Sequence, residues 1–258
     1  MVAIQLSTLI KIFPQIIKWF FLKNEKKYLY MQKVAYQDAA NNSTYDTDKK
    51  NDFVVGSYDK QNKWEDYDKY LMKYVDESFQ EKIALDFACG PGRNIVKYNK
   101  WFKRIDGCDI SENNINNAKE NLTYHKIPLP NLYITNGDNL GVEQENYYDF
   151  IFSSIAMQHI CVHKIRYSIL TCMYKALKKG GRISIQMAFG TFRKNSVGYF
   201  ENCFNAMGTN GGYDTRVEDP NEIKKDLDSI GFKDFEYWVR PGGPGNADAN
   251  WIFFTASK

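Results

Sequence analysis

Apolar runs and helical periodicity alternate along most of this chain. Ile83 to Ala88, Ile105 to Ile110, Leu132 to Thr135, Phe150 to Ser153 and Ile183 to Met187 are short, nearly continuous apolar stretches, the pattern of strands buried on both faces. Between them lie helical signals. Ser111 stands before a segment with Ile115, Ala118 and Leu122 on one face, and Ile165, Ile169, Met173 and Leu177 recur at four-residue steps up to Lys178, Lys179 and Gly180. Asp219, Pro220 and Glu222 then supply an N-cap, a first-turn proline and a capping-box acid ahead of Ile223, Leu227 and Ile230, with Gly231 as the stop. Such alternation predicts βαβ units around a parallel sheet, and two last runs, Phe235 to Val239 and Trp251 to Thr255, predict a hairpin closing it.

The chain before this body reads differently. Residues 1–30 are apolar and aromatic, but Lys11, Pro14 and Lys18 break the run before it reaches the length of a membrane span, and neither a basic start nor a cleavage site marks a secretion signal. Two readings remain: a helix packed on the protein itself or on a second subunit, or an amphipathic helix whose lysines meet anionic lipid at a membrane face. Residues 38–62 are polar and turn-rich, a connecting arm, and from Trp64 the pattern turns helical through Tyr67, Tyr70, Leu71, Tyr74 and Val75. The expected division is an N-terminal helical extension and arm over 1–62 and one main domain over 63–258.

Composition narrows the class. With 258 residues, 43% of them apolar, the chain can bury a large core and is not disordered. Five cysteines without a C-x-x-C pair do not make a disulfide framework or a zinc cage, so a reducing, cytoplasmic setting is expected. The net charge of +3 is unevenly placed: residues 1–37 hold six Lys and one Glu, which leaves the body slightly acidic. A broad basic face is therefore not encoded, and no nucleic-acid partner is expected.

The segment IALDFACGPGRNI places an acid, Asp86, at the end of a strand, then Gly90 and Gly92, then a helix. Glycines let the backbone turn sharply against a ligand, and free amides at a helix start favour polar or negative atoms. Ile95 stands where a dinucleotide fingerprint needs its third glycine, and no Gly-Lys-Ser/Thr follows, so neither of those loops is encoded. Downstream, IDGCDIS puts Asp109 at the end of the second strand, where a carboxylate could accept two ribose hydroxyls, and NGDNL puts Asp138 after the third. Asp149 opens the fourth strand, away from the ligand end, and reads as structural.

In LDFACGPGRN, GCDIS, NGDNL, YDFIFSS and LKKGGRISI, in that order and spacing, the chain resembles the class I S-adenosylmethionine-dependent methyltransferases of small-molecule type, over about residues 82–187. The resemblance implies a doubly wound, mostly parallel α/β sheet of seven strands with a C-terminal antiparallel hairpin strand, behind the N-terminal helical extension. It also implies S-adenosylmethionine as cofactor and S-adenosylhomocysteine as product. Carried over, Asp86, Ala88, Gly90 and Gly92 would hold the methionine end, Asp109 the ribose, Ile110 the adenine face, Asp138 and Asn139 the adenine edge, and the backbone at Ser153 and Ser154 the amino group. Ala88 stands where the commonest form has glycine, a replacement expected to cost little.

Methyl transfer from a sulfonium is a direct displacement that needs alignment in a dry pocket, and a hydroxyl acceptor also needs its proton removed. His159 in SSIAMQHI follows the fourth strand by a few residues and is the candidate base; the alternative is a histidine that orders the loop. His163 more naturally starts the next helix, and His125 sits in a loop before Pro128. Asp214, Asp219 and Asp248 lack ligand spacing, and no metal is predicted. SSIA after the fourth strand is not the Asn-Pro-Pro-Tyr-like turn of enzymes that methylate planar amino groups.

Ligands of open parallel sheets lie beyond the carboxyl ends of the strands, where residues 188–217 and 240–250 leave the sheet. The first segment, expected as a substrate cap, holds aromatics, amides, Arg193 and Arg216, a mix suited to a hydroxylated or phosphorylated acceptor. The leading expectation is O-methylation of a sugar or nucleotide-sugar of surface-glycan biosynthesis. The alternatives are a lipid-linked or quinone-like acceptor at the membrane, and a non-catalytic cofactor-binding subunit.

Overall fold

The structure, a computed structural model, describes residues 23–41, 63–191, 194–208, 212–241 and 250–258. Most of the apolar N-terminal run, the arm over 42–62, Arg193 and Asp248 lie outside the described residues.

The strands are β1 (Ile83–Phe87), β2 (Arg104–Asp109), β3 (Leu132–Ile134), β4 (Tyr148–Ser153), β5 (Leu177–Phe189), β6 (Ser196–Gly198), β7 (Asp214–Arg216), β8 (Lys233–Pro241) and β9 (Asn250–Ser257). The helices include α1 (Asn24–Asn41), α2 (Arg93–Tyr98), α3 (Glu112–Tyr124), α4 (His163–Ala176) and α5 (Pro220–Ile230), with short helical segments at Lys63–Asp66 and Tyr67–Leu71 ahead of β1. Seven strands form one sheet in the order β3-β2-β1-β4-β5-β9-β8. The first five pair in parallel, and β9 runs antiparallel to both β5 and β8, which is the hairpin the sequence predicts.

Each face of the sheet carries its own apolar layer. On one, Leu85, Ile151, Ile183 and Ile185 meet Ile169 and Met173 of α4 and Leu227 of α5; on the other, Ala84, Phe150, Phe152 and Phe253 meet Tyr67, Leu71, Ile95 and Ile115. Burial on both sides explains why the strand sequences are continuously apolar rather than alternating. The caps act as the sequence implies. Ser111 Oγ accepts from Asn114 N at 3.2 Å, and Asp219 with Glu222 closes a capping box on α5, contacts worth about 1 kcal/mol each. Asp149 is structural: its carboxylate accepts from Ile83 N at 3.0 Å and from Lys178 Nζ at 2.8 Å.

Two boundaries differ from the sequence pattern. Helix α4 stops at Ala176, and Leu177 already pairs with Tyr148 as the first residue of β5. The Lys178–Gly181 stretch bulges out before pairing resumes at Arg182, because Gly180 takes φ 77° with its N donating to Lys258 O at 2.9 Å, while Lys258 N donates to Gly181 O at 2.9 Å. The 188–217 segment, which shows no strand pattern, contains the short parallel pair β6–β7, and Val217 returns to Phe189 through a further bridge.

Helix α1 packs on the protein's own body. Asn113 Nδ2 donates to Gln37 O at 3.2 Å and Asn117 Nδ2 to Ala40 O at 3.0 Å, while the Tyr28 hydroxyl accepts from Cys161 N at 2.8 Å. Among the described residues no helix is long and apolar enough to cross a membrane.

Candidate functional site

Strand order reverses between β1 and β4, and the crevice at their carboxyl ends is where an open α/β sheet can take a ligand. The turn after β1 is built from left-handed residues, Ala88 at φ 57°, Gly90 at 53° and Gly92 at 81°, the last being the N-cap of α2. A side chain at Gly92 would meet Ala118 Cβ at 3.3 Å, so this glycine also permits α3 to approach. Ala88 is not the neutral replacement expected from its size. In this region its Cβ crowds the following carbonyl at about 1–2 kcal/mol, which is why glycine suits the position.

Asp86, the penultimate residue of β1, has 0% exposure. Asn94 Nδ2 approaches its Oδ1 at 3.4 Å and donates to Ser154 Oγ at 3.0 Å, but among the described residues Asp86 Oδ2 and Asn94 Oδ1 have no partner. Burial pushes the Asp86 carboxyl up to about 8, against the opposing pull of Asn94 and Arg93. Two buried acceptors without donors beside a glycine loop fit the ammonium of an amino-acid tail, the group S-adenosylmethionine would bring. Ser153 Oγ donates to Phe87 O at 3.0 Å, tying β4 to the end of β1.

Asp109 ends β2 and accepts from Gly90 N at 2.9 Å, Ser111 N at 2.8 Å and Asn114 Nδ2 at 3.2 Å. Burial raises its pKa and these donors oppose the rise. A carboxylate has about four lone-pair sites, so Oδ2, with one donor in place, can still take a ribose hydroxyl. Ile110 packs against Gly137, where an added Cβ would lie 2.7 Å from Ile110 Cδ1 and 3.0 Å from Leu29 Cδ2 of α1. Asn139 holds its own loop, accepting from Gly141 N at 2.9 Å and donating to Asp138 Oδ1 at 3.0 Å.

His159 closes a 3₁₀ turn, Met157–His159, after β4. Its Nδ1 lies 2.7 Å from Asp214 Oδ1 on β7, and a Cβ at Gly208 would be 2.6 Å from its Nδ1, so glycine is required for the ring to seat there. A carboxylate accepts only, so the Nδ1 side of the ring is the donor toward Asp214. His163 begins α4 and bonds Asp226 Oδ2 at 2.9 Å, and His125 is the C-cap of α3. Among the described residues no three His, Cys, Asp or Glu side chains gather as a metal site.

The structure thus brings Asp86, the glycine turn, Asp109, Ser153 and Ser154 to one crevice. Sequence reasoning missed the role of Asp214, which is 55 residues from His159 and carries no spacing signal. It also missed α1 as a wall: Ser111 Oγ donates to Gln37 Oε1 at 3.1 Å, beside Asp109. Burial raises the pKa of Tyr36 on the same helix, with Asp109, Tyr28 and Asp214 adding to the rise. Arg216, expected to meet phosphate, is buried instead, its Nε donating from β7 to Ser196 Oγ on β6 at 3.0 Å.

A family profile described as a methyltransferase domain matches residues 84–181. No curated protein matches the chain. Among solved structures it is similar to phosphoethanolamine N-methyltransferase 2 of Haemonchus contortus in complex with phosphomonomethylethanolamine and S-adenosylhomocysteine, at TM-score 0.61 and 19% identity over 86% of this chain. The chain spans 60% of that enzyme's length. It is also similar to an S-adenosylmethionine-dependent methyltransferase of Methanosarcina mazei, at TM-score 0.56 and 17% identity over 72% of this chain and 95% of the other. The [4+2]-cyclase SpnF shares the fold at TM-score 0.55 and 12% identity, over 73% of this chain and 79% of its own, so the sheet alone does not fix the reaction. The profile match lies on the strands that carry the glycine turn and Asp109, so residues 84–181 are similar to a methyltransferase domain and the chain has the fold of the S-adenosylmethionine-dependent methyltransferases it matches.

Proposed function

We propose that the protein methylates a hydroxyl of a small polar acceptor, a sugar or nucleotide-sugar of surface-glycan biosynthesis, with His159 as general base. The observation that carries this reading is the 2.7 Å contact between His159 Nδ1 and Asp214. It holds the imidazole in the tautomer whose Nε2 can take a proton, and Asp214 stabilises the imidazolium that results. The cofactor, when bound, supplies an electrophilic methyl on a sulfonium. The chain's own residues then align and exclude water. Asp86, the turn through Ala88, Gly90 and Gly92, and the backbone at Ser153 and Ser154 hold the methionine end; Asp109 holds the ribose; Ile110 and the loop of Asp138 and Asn139 hold the adenine. Asn139 serves through its loop, since its side chain is bonded within it.

The acceptor class is supported by the cap over 188–217, whose partly exposed aromatic rings include Phe200 and Tyr213. With Arg216 buried, a sugar face is better supported than a phosphate. A second reading, N-methylation of a small phosphorylated amine, is favoured by the Haemonchus contortus enzyme, and an ammonium acceptor would also need a base to lose its proton. Labelled S-adenosylmethionine incubated with a panel of nucleotide sugars, glycans, phosphoethanolamine, quinones and RNA decides between them. A labelled sugar whose formation fails with His159→Gln supports the first reading, and labelled amine supports the second. Transfer that is indifferent to His159→Gln removes the base role.

A further inference from the structure

The loop that carries His159 is held by partners on several elements. The carbonyl of Ile160 accepts from Thr215 Oγ1 at 3.1 Å and from Arg166, and the carbonyl of Cys161 accepts from Cys203 N at 2.9 Å. The carbonyl of His159 is met by a side chain from the opposite end of the sequence: Gln32 of α1, 4% exposed, donates to it from Nε2 at 3.1 Å. The same amide nitrogen donates to Tyr28 Oη at 2.6 Å, and that phenol accepts from Cys161 N at 2.8 Å. One buried amide group thus spends both of its protons on residues 159–161, directly and through one phenol.

From this arrangement we propose that Gln32 is a positioning residue for His159. The inference rests on the assignment of His159 as base and adds what aims it. Asp214 fixes the rotation of the ring about its Nδ1 contact and Gly208 leaves the ring its space, but both act on the side chain. Gln32 acts on the backbone from which the ring projects. Its helix is gripped at the other end by the cofactor wall, where Gln37 bonds Ser111 and Asn113, next to Asp109. Helix α1 therefore references the base to the ribose-binding carboxylate, two groups on separate strands whose relative placement decides whether acceptor oxygen, methyl and sulfur line up. A Gln serving only to attach α1 could bond any nearby carbonyl; this one bonds the carbonyl of the base itself.

The test uses the full chain labelled with 15N-histidine, which has three histidines, with S-adenosylhomocysteine added and His159→Gln identifying the signal. The wild type is expected to show a slowly exchanging Nδ1 proton on His159. Gln32→Met keeps length and apolar volume but donates nothing, and solvent exchange of that proton should rise by about tenfold, the effect of losing one hydrogen bond. His163, paired with Asp226, should be unchanged. Tyr28→Phe, which keeps the ring and removes only the hydroxyl that Cys161 N uses, should act in the same direction and covers the case in which Gln32→Met does not fold. With an acceptor in hand, Gln32→Met should lower kcat while leaving KM for S-adenosylmethionine in place. Unchanged exchange at His159 in these variants, or equal changes at His159 and His163, overturns the proposal. A wild-type spectrum without the slow Nδ1 proton sinks the base assignment itself, and this inference with it.

Discussion

Asp86 gives the sharpest test of the cofactor crevice. In the protein without cofactor its carboxyl is fully buried, one oxygen is unpartnered, and burial moves its pKa from 3.8 to about 8. At about 1.4 kcal/mol per pH unit, ionising it there opposes folding by on the order of 6 kcal/mol before relaxation. The sign follows from the raised value. Below 3.8 the group is neutral in both folded and unfolded chains; between 3.8 and about 8 the folded chain keeps a proton that the unfolded one has lost, so stability falls as pH rises and the loss is complete above about 8. Asp86→Asn removes this titration. Its melting temperature should match the wild type near pH 4 and exceed it at pH 9 by up to about 12–24 °C, at ~2–4 °C per kcal/mol for a chain of this size. The cofactor should reverse the picture. An ammonium beside Asp86 favours the carboxylate, so S-adenosylhomocysteine binding at pH 7 should release about one proton, read by calorimetry in buffers of different ionisation enthalpy, and Asp86→Asn should release none. Identical stability curves for the two proteins across pH 4 to 9, together with binding that exchanges no proton, would refute the reasoning.

Other substitutions probe the remaining parts of the site. Asp109→Ala should weaken S-adenosylhomocysteine binding roughly 100-fold by calorimetry, since charge-assisted bonds contribute about 1.5–3 kcal/mol each; Asp109→Asn, which keeps the shape, should lose less. His159→Gln and Asp214→Asn should each lower turnover by about 10²–10⁴ with little change in cofactor affinity. Gly208→Ala places a methyl 2.6 Å from the His159 ring, so turnover should fall and the melting temperature should drop with an overpacking penalty of about 1–3 kcal/mol.

Local signals made most of the sheet and half of the site readable. The strands of the main sheet are apolar because both faces are covered, and Ser111, Asp219 and Gly231 mark helix ends by chemistry that acts within a few residues. Asp86, Gly90, Gly92 and Asp109 are legible for the same reason, each being tied to a strand end next to it in sequence. What escaped depends on contacts between distant segments. The end of α4 at Ala176 follows from pairing with Tyr148 and from the C-terminal Lys258 reaching Gly180. Asp214 and Gln32 approach His159 across 55 and 127 residues, separations that leave no periodicity to read. Ala88 looked harmless because size is written in the sequence and φ is not.

The 188–217 segment leaves β5 at Phe189 and comes back beside it: Gly190 N bonds Val217 O at 2.9 Å, and Val217 N bonds Ala188 O at 3.1 Å. Its two ends are thus pinned side by side on the sheet, while between them Cys203 N bonds Cys161 O, Glu201 O accepts from His163 N and Thr215 Oγ1 bonds Ile160 O, so exchanging the segment would also unlatch the loop that carries His159. A replacement segment would remove Asp214 as well, so it must bring its own carboxylate or leave the His159 ring without that partner.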